Sequence, residues 1–454
     1  MKIVIIGAGS AMFTIGVVSD LITAGLATEL GLVDIDPEAL KVAQKLTEKM
    51  IVARKTAIRL TATTDRRQVL KDATVVIATI GVGGRRAWEQ DVYIPRKYGL
   101  SFPVGDTVGP GGTSRAMRMI PAMVAIGRDV AELAPDALFF NYANPMSPIC
   151  FAVQQATGVP LTGLCVGTWH TANYLARILG ANVADLAYNV AGINHLTWFS
   201  EVYLNGQDVM PQLKAHALQV VQNAHQAVGS AKAGEAEIPH SGSPFESSYQ
   251  EPFSWQCLLW FGAFPSPGDR HITEFFPQMF RDGGYYGKTL GGDEFSFEGT
   301  IAVGDQIYAE MRADALGPEP LTAEYFSKHG GEQEQVVEII QAIQNNEART
   351  FFANLPNTGQ APSLPLGAVV ETPAVTDGRG VHAIQQKSLP TAIAGTLATR
   401  FAWAETVTAA ALEASRDKFI QALILDGAVT SPDTAVQMAD EFIAAQQAYL
   451  PKLS

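Results

Sequence analysis

Two residues here can do chemistry that a folded core does not need. Cys165 follows the apolar run 159–164, and His195, with Asn194 before it, follows a second apolar run at 189–193. Where such a run is a buried strand of an open α/β sheet, the residue that ends it faces the crevice where ligands bind. A thiolate and an imidazole brought to one crevice can hold a metal ion, although a structural zinc site needs four ligands. The same residues suit a plain core, because free cysteine is among the most buried residue types and a single histidine is often only hydrogen-bonded. A second constellation is Gly7-Ala8-Gly9-Ser10-Ala11-Met12, which follows an apolar run at 3–6 and precedes a helical pattern. Its two glycines permit a tight turn and close approach of a pyrophosphate to a helix N-terminus, while Met12 stands where the usual fingerprint has a third glycine. Asp34 closes the next apolar run, where its carboxylate would accept hydrogen bonds from the ribose hydroxyls of NAD and repel the extra phosphate of NADP. A third group, Asp269, Arg270, His271 and Glu274, falls within six residues behind two prolines. Taken alone, that segment predicts an exposed turn leading into a helix.

The elements that must position these groups alternate. Strand-like runs at 3–6, 30–33, 74–80 and 137–141 are interleaved with helical patterns near 37–55 and 112–133, and the glycine loop 81–84 follows the third strand. Gly25 is placed to end the first helix, and Asp36 before Pro37 to start the second. The pattern predicts an α/β fold with a doubly wound, Rossmann-type parallel sheet that continues through the strands carrying Cys165 and Asn194. Past Trp198 the regularity fades. Residues 231–252 predict a long loop near an active site or partner surface, and 332–344 and 391–415 predict amphipathic helices, the latter suited to packing between subunits. We expect an NAD-binding domain over 1–197 and a C-terminal α+β substrate-binding and oligomerisation domain over 198–454.

The chain of 454 residues exceeds what one core usually supports. Its 45 acidic against 32 basic residues leave a net charge of −13 with no basic run, which disfavours a nucleic-acid partner. Three cysteines are too few for a disulfide framework and suit a reducing compartment. No run approaches the ~20 apolar residues of a membrane span, and the start is shaped as a strand rather than a secretory signal. The expectation is a cytoplasmic homodimer or homotetramer acting on a small molecule, with no membrane partner.

In combination the motifs KIVIIGAGSAMFT, LVDID, IGVGG with EQD, GDTVGPGGTSRAMRMIP, NYANPM, GLC, GINH, GDRHITEFFP, and NLPNTG with LPLGAVVETP make the chain similar to glycoside hydrolase family 4. These NAD-dependent glycosidases depart from two-carboxylate hydrolysis. The resemblance implies oxidation of a sugar at C3, proton removal at C2, elimination across C1 and C2, water addition and re-reduction. It implies Mn2+ held by Cys165 and His195, with Asn144 and Asn194 near the sugar hydroxyls and Asn144 also beside NAD. A thiolate with an imidazole would by itself suggest zinc or iron; manganese follows from the family.

Two departures stand out. Members acting on 6-phosphorylated sugars usually carry an arginine where this chain has Trp88, which disfavours a phosphorylated substrate. Arg85 and Arg86 just upstream could still meet a carboxylate or sulfonate, or could be a solvated helix start. Val166 stands where α-specific phosphoglycosidases often have an acidic general acid. Trp169 could stack on a sugar face or be buried by a helix start, and His170 could donate a proton. Tyr249 is a candidate C2 base by region, with Asp269 and His271 as competitors and Arg270 a further substrate contact. The substrate is expected to be an unphosphorylated hexoside, tilted toward a uronide or sulfoquinovoside over a neutral α-galactoside or α-glucoside. A malate-type 2-hydroxy acid dehydrogenase shares the nucleotide fold, and an NAD-binding sensor is a non-enzymatic alternative.

Overall fold

The computed structural model describes residues 1–230, 250–329 and 335–453. Six strands pair in parallel: β1 (Lys2–Ile6), β2 (Glu29–Val33), β3 (Arg59–Thr63), β4 (Val75–Ala78), β5 (Leu138–Asn141) and β6 (Thr162–Gly163). Their order across the sheet is 3-2-1-4-5-6, so strand order reverses between β1 and β4. β1, β2 and β4 are buried almost throughout, as strands covered on both faces must be. Among the helices that cover them, α1 (Thr14–Ala24) ends at Gly25 in the left-handed conformation, with φ 65°. α2 (Pro37–Arg54) starts at Asp36, whose carboxylate accepts the N–H groups of Glu38 and Ala39. α3 (Gly84–Arg96), α4 (Gly109–Leu133), α5 (Met146–Thr157) and α6 (Gly167–Ile178) follow.

The parallel arrangement stops at β6, which corrects the expectation that it runs on through the Asn194 strand. That run belongs to β7 (Leu186–Ile193), which turns through Asn194-His195 into antiparallel β8 (Leu196–Leu204). Two residues between two strands make a hairpin, not a crossover. β9 (Phe264–Ser266) pairs with the far side of β8. Between β6 and β7 the chain inserts two strands from its C-terminal part, β10 (Thr350–Pro356) and β11 (Val369–Asp377), both antiparallel to their neighbours. One sheet therefore continues across residue 197, which lies inside β8.

The remaining helices used below are α7 (Pro252–Phe261), α8 (Phe297–Leu316), α9 (Thr391–Glu413), α10 (Arg416–Asp426) and α11 (Pro432–Gln446). Apolar residues of α9, Leu397, Phe401 and Trp403 among them, join one core with Met117 and Ile120 of α4 and Ile149 and Val153 of α5. Two buried ion pairs lock these layers. Asp91 of α3 pairs with Arg118 of α4, both fully buried, and the Gln446 amide of α11 donates to Ala87 O. Asp426 at the end of α10 binds Arg400 and accepts the first N–H of α4, from Gly109, at 2.8 Å.

Removing one partner of such a pair strands the other charge in a dry interior. Asp91→Ala should therefore cost about 3–5 kcal/mol, whereas Asp91→Leu combined with Arg118→Met should recover most of it. Urea denaturation measures both; a loss below about 1 kcal/mol for the single variant would show that the pair does not constrain α3 and α4.

Candidate active site

The nucleotide end is built by backbone geometry. Gly7 has φ 95°, and a Cβ there would lie 2.7 Å from Ile80 N, so only glycine lets the turn press against the end of β4. Gly9 N donates to Asp34 Oδ2 at 2.8 Å, and a Cβ on Gly9 would meet Ala39 Cβ at 2.6 Å. Ser10, Ala11 and Met12 complete the turn into α1, with Met12 partly exposed. The other oxygen of Asp34 accepts Asp36 N, and burial pushes its carboxyl above the usual range. The turn after β1 and the glycine loop after β4 thus flank the point of strand reversal, with Asp34 at the end of β2, the place where open α/β sheets bind ligands.

The second end lies where β5, β6 and the β7–β8 turn meet. Cys165 Sγ and His195 Nε2 approach to 3.4 Å, and Gly167 N–H, at the start of α6, also donates to the sulfur. His195 sits in the turn with φ 66°, a conformation that non-glycine residues rarely adopt and that is found disproportionately at functional sites. Its ring is oriented by a chain of hydrogen bonds. Thr107 donates to Asp106 Oδ1 at 2.7 Å, so the Thr107 oxygen accepts from His195 Nδ1 at 2.9 Å, which assigns the proton to Nδ1 and leaves the Nε2 lone pair facing Cys165. Asp106 Oδ2 accepts from the Asn144 amide at 3.1 Å, so one carboxylate braces both sides of the site. Arg115 Nε holds the Asn144 carbonyl at 3.0 Å. Asn144 Oδ1, Asn194 Oδ1 and His271 Nδ1 are buried without a partner among the described residues. His271 packs its ring 4.2 Å from that of His195, and burial, His195 and Arg270 hold its pKa well below the usual value. No three His, Cys, Asp or Glu side chains gather around one point among the described residues.

The segment expected to be an exposed turn is instead interior: Asp269 is fully buried and Glu274 is 2 % exposed. Their carboxyl groups are met by tertiary partners that local composition does not reveal. Asp269 accepts the N–H groups of Phe253 and Ser254 at the start of α7, both at 2.7 Å, and the hydroxyls of Ser254 and Tyr285, an arrangement that turns the carboxylate to capping. Glu274 Oε1 accepts Val104 N and Gly105 N, holding the loop that delivers Asp106. Arg270 is buried and donates to Thr300.

The other candidates make contacts of their own. Arg85 and Arg86 both pair with Asp305 of α8, and Arg86 also with Glu89. Trp88 donates its indole N–H to Val104 O at 2.7 Å and packs edge-on to Phe297. Trp169 lies partly buried on α6 against the apolar cluster around Trp255, with His170 exposed beside it. Tyr249 falls outside the described residues. Sequence reasoning missed Asp106, Thr107, Arg115 and Glu371; the first three lie in the motif GDTVGPGGTSRAMRMIP, whose Gly111 and Gly112 admit the backbone of the 105–107 loop, 2.6 Å from any added Cβ.

Comparison with known proteins places this geometry in context. The family described as "Family 4 glycosyl hydrolase" matches residues 2–181, and its C-terminal domain matches residues 190–429. An α-galactosidase of Rhizobium meliloti is 31 % identical, over 99 % of this chain and 89 % of its own. An α-galacturonidase of Bacillus subtilis is 29 % identical over 94 % and 93 %. The 6-phospho-β-glucosidase of Thermotoga maritima, solved with manganese, NAD+ and glucose-6-phosphate, superposes over the whole of both chains with a TM-score of 0.78 at 21 % identity.

Burial raises the Glu274 carboxyl to about 8, so between pH ~4.5 and 8 the folded chain keeps a proton that the unfolded chain releases. Stability should then fall as pH rises through that window. Glu274→Gln keeps an acceptor for Val104 and Gly105 and removes the titration. Its melting temperature should decline less than the wild type's between pH 5 and 8, by on the order of 2 °C or more, in parallel thermal scans. Identical pH profiles would show that Glu274 is ionised in the folded state.

Proposed function

Because this chain belongs to family 4 of the glycosyl hydrolases, we propose that it is an NAD- and divalent-metal-dependent glycosidase of an unphosphorylated hexoside, with manganese as the metal. The observation that carries the reading is the approach of Cys165 Sγ to His195 Nε2, beside three buried polar atoms that have no partner among the described residues. Cys165 Sγ and His195 Nε2, 3.4 Å apart, are close enough that both would hold one ion. Two protein ligands leave positions for sugar and water oxygens. When bound, the two cofactors would supply reversible hydride removal at sugar C3 and Lewis-acid polarisation of the C2 and C3 oxygens.

The chain's own residues do the rest. Gly7, Gly9, Ser10, Ala11 and Met12 receive the pyrophosphate and Asp34 the ribose, on residues 1–197, while 198–454 close the sugar face. Thr107 and Asp106 keep His195 in the tautomer that offers Nε2. The free carbonyl oxygens of Asn144 and Asn194 accept from sugar hydroxyls. His271, kept neutral by burial, is the C2 base candidate within the described site; Tyr249 is the other. His170, exposed near the start of α6, is the candidate proton donor to the leaving group. Asp269, turned to the start of α7, is assigned no part in proton transfer.

Trp88 offers no charge to a phosphate. For the remaining substrates two observations pull apart. The α-galacturonidase likeness favours a uronide; the ion pairs of Arg85 and Arg86 with Asp305 favour a neutral sugar, since an anionic substituent would have to displace Asp305.

Incubation with NAD, manganese and aryl galactosides, glucosides, uronides, sulfoquinovosides and 6-phosphates should release the aryl alcohol without net NADH. Stoichiometric NADH with a 2-hydroxy acid would point to a dehydrogenase instead. Cys165→Ser should lower metal-dependent turnover at least ~100-fold while NAD affinity by calorimetry stays within about twofold; undiminished turnover of that variant in chelator would sink the assignment. Asp34→Ala should weaken NAD at least about tenfold and leave manganese affinity unchanged. Unaltered NAD titrations would move the ribose contact elsewhere.

A further inference from the structure

Glu371 sits on β11, 1 % exposed, and among the described residues no cation pairs with it. Its Oε1 accepts the hydroxyl of Thr168 at 2.6 Å and its Oε2 the side-chain amide of Asn194 at 3.1 Å. Thr168 opens α6 three residues after Cys165, and Asn194 immediately precedes His195. The backbone repeats this bridge. Gly163, Asn354, Glu371, Gly192 and Thr197 lie in register across five adjacent strands, β6, β10, β11, β7 and β8. Glycine stands where crowding is greatest: a Cβ at Gly163 would meet Met146 Sδ at 2.8 Å and Asn354 Cβ at 2.9 Å, and one at Gly192 would meet Leu196 O at 2.2 Å.

The row poses a geometric problem. β6 and β7 are separated by two strands, hence by roughly 14 Å, yet the sulfur and imidazole beyond their ends approach to 3.4 Å. Both turns must lean over β10 and β11, and the carboxylate between them takes one donor from each. Burying a carboxylate without a cation costs several kcal/mol, and an apolar residue would satisfy the strand at no such cost. We propose that Glu371 is the positioning residue that sets the separation of Cys165 and His195, holding the start of α6 and the β7–β8 turn to one point. This rests on the reading of Cys165 and His195 as metal ligands.

The test measures metal binding rather than turnover. Free Mn2+ is followed by electron paramagnetic resonance on the NAD-loaded protein, and the cobalt form is examined for its thiolate-to-metal charge-transfer band. Glu371→Ala should bind Mn2+ 10- to 100-fold more weakly, with a shifted or lost cobalt band and unchanged NAD affinity. Glu371→Gln should stay within about threefold of wild type, because its carbonyl still accepts from Asn194 and the Thr168 hydroxyl can turn to accept from its amide. A folded Glu371→Ala with wild-type Mn2+ affinity and cobalt band overturns the proposal. Should that variant not fold, Thr168→Val removes one arm alone: about tenfold weaker Mn2+ binding supports the role, and unchanged binding overturns it. If wild type and Cys165→Ser give the same cobalt spectrum, the ligand assignment itself fails, and the proposal with it.

Discussion

A sulfur and an imidazole nitrogen 3.4 Å apart, carried by strands with two others between them, is the constraint on which the rest of this structure depends. A hairpin turn can lean across its neighbours, since its two residues are free of the ladder. The antiparallel strands β10 and β11 lie between the two carriers, so the C-terminal part of the chain completes a sheet that the N-terminal part begins.

Burial and polarity are balanced differently at the two ends of the crevice. At the nucleotide end, the work is done by backbone N–H groups and by glycines that clear space, and the lone carboxylate of Asp34 keeps backbone donors on both oxygens. At the metal end, side chains form a chain from Asp106 through Thr107 to His195, with Asn144 on the same carboxylate. This end remains incompletely satisfied among the described residues, which in a native interior calls for an explanation; the proposed sugar and cation would provide one. His271 stays neutral beside His195 because burial, His195 and Arg270 all disfavour its protonation.

The braces that hold this arrangement lie outside it. Glu274 grips the loop 104–105 and thereby Asp106; Asp426 grips the first turn of α4; Asp91 and Arg118 lock α3 to α4. Each is a carboxylate in the dry interior with its donors supplied by a different part of the chain. Arg85 and Arg86 act in the same manner at the surface, tying α3 to α8 through Asp305. For exposed pairs the stabilisation is small, and their effect is to orient one helix against the other.

Much of the nucleotide end was legible in the residues alone. The apolar runs, the Gly7 and Gly9 turn, the caps at Gly25 and Asp36 and the end of β2 at Asp34 rest on chemistry between residues close in sequence, where propensity and periodicity decide the outcome. The convergence of Cys165 and His195 was legible as two strand ends, but the antiparallel hairpin between β7 and β8 was not, because an apolar run has no direction of pairing written in it. The burial of Asp269 and Glu274 was hidden for a related reason: a cluster of ionisable residues reads as exposed until the backbone N–H groups that satisfy it, at Phe253, Ser254, Val104 and Gly105, are in place. Glu371 was invisible for both reasons at once, being an ionisable residue within an apolar strand whose partners lie 203 and 177 residues away. Local sequence determined the elements and the nucleotide turn, since those energies act over a few residues. Only the tertiary structure decided which strand enters between which, because that choice depends on matching faces that the chain brings together after closing loops of well over a hundred residues.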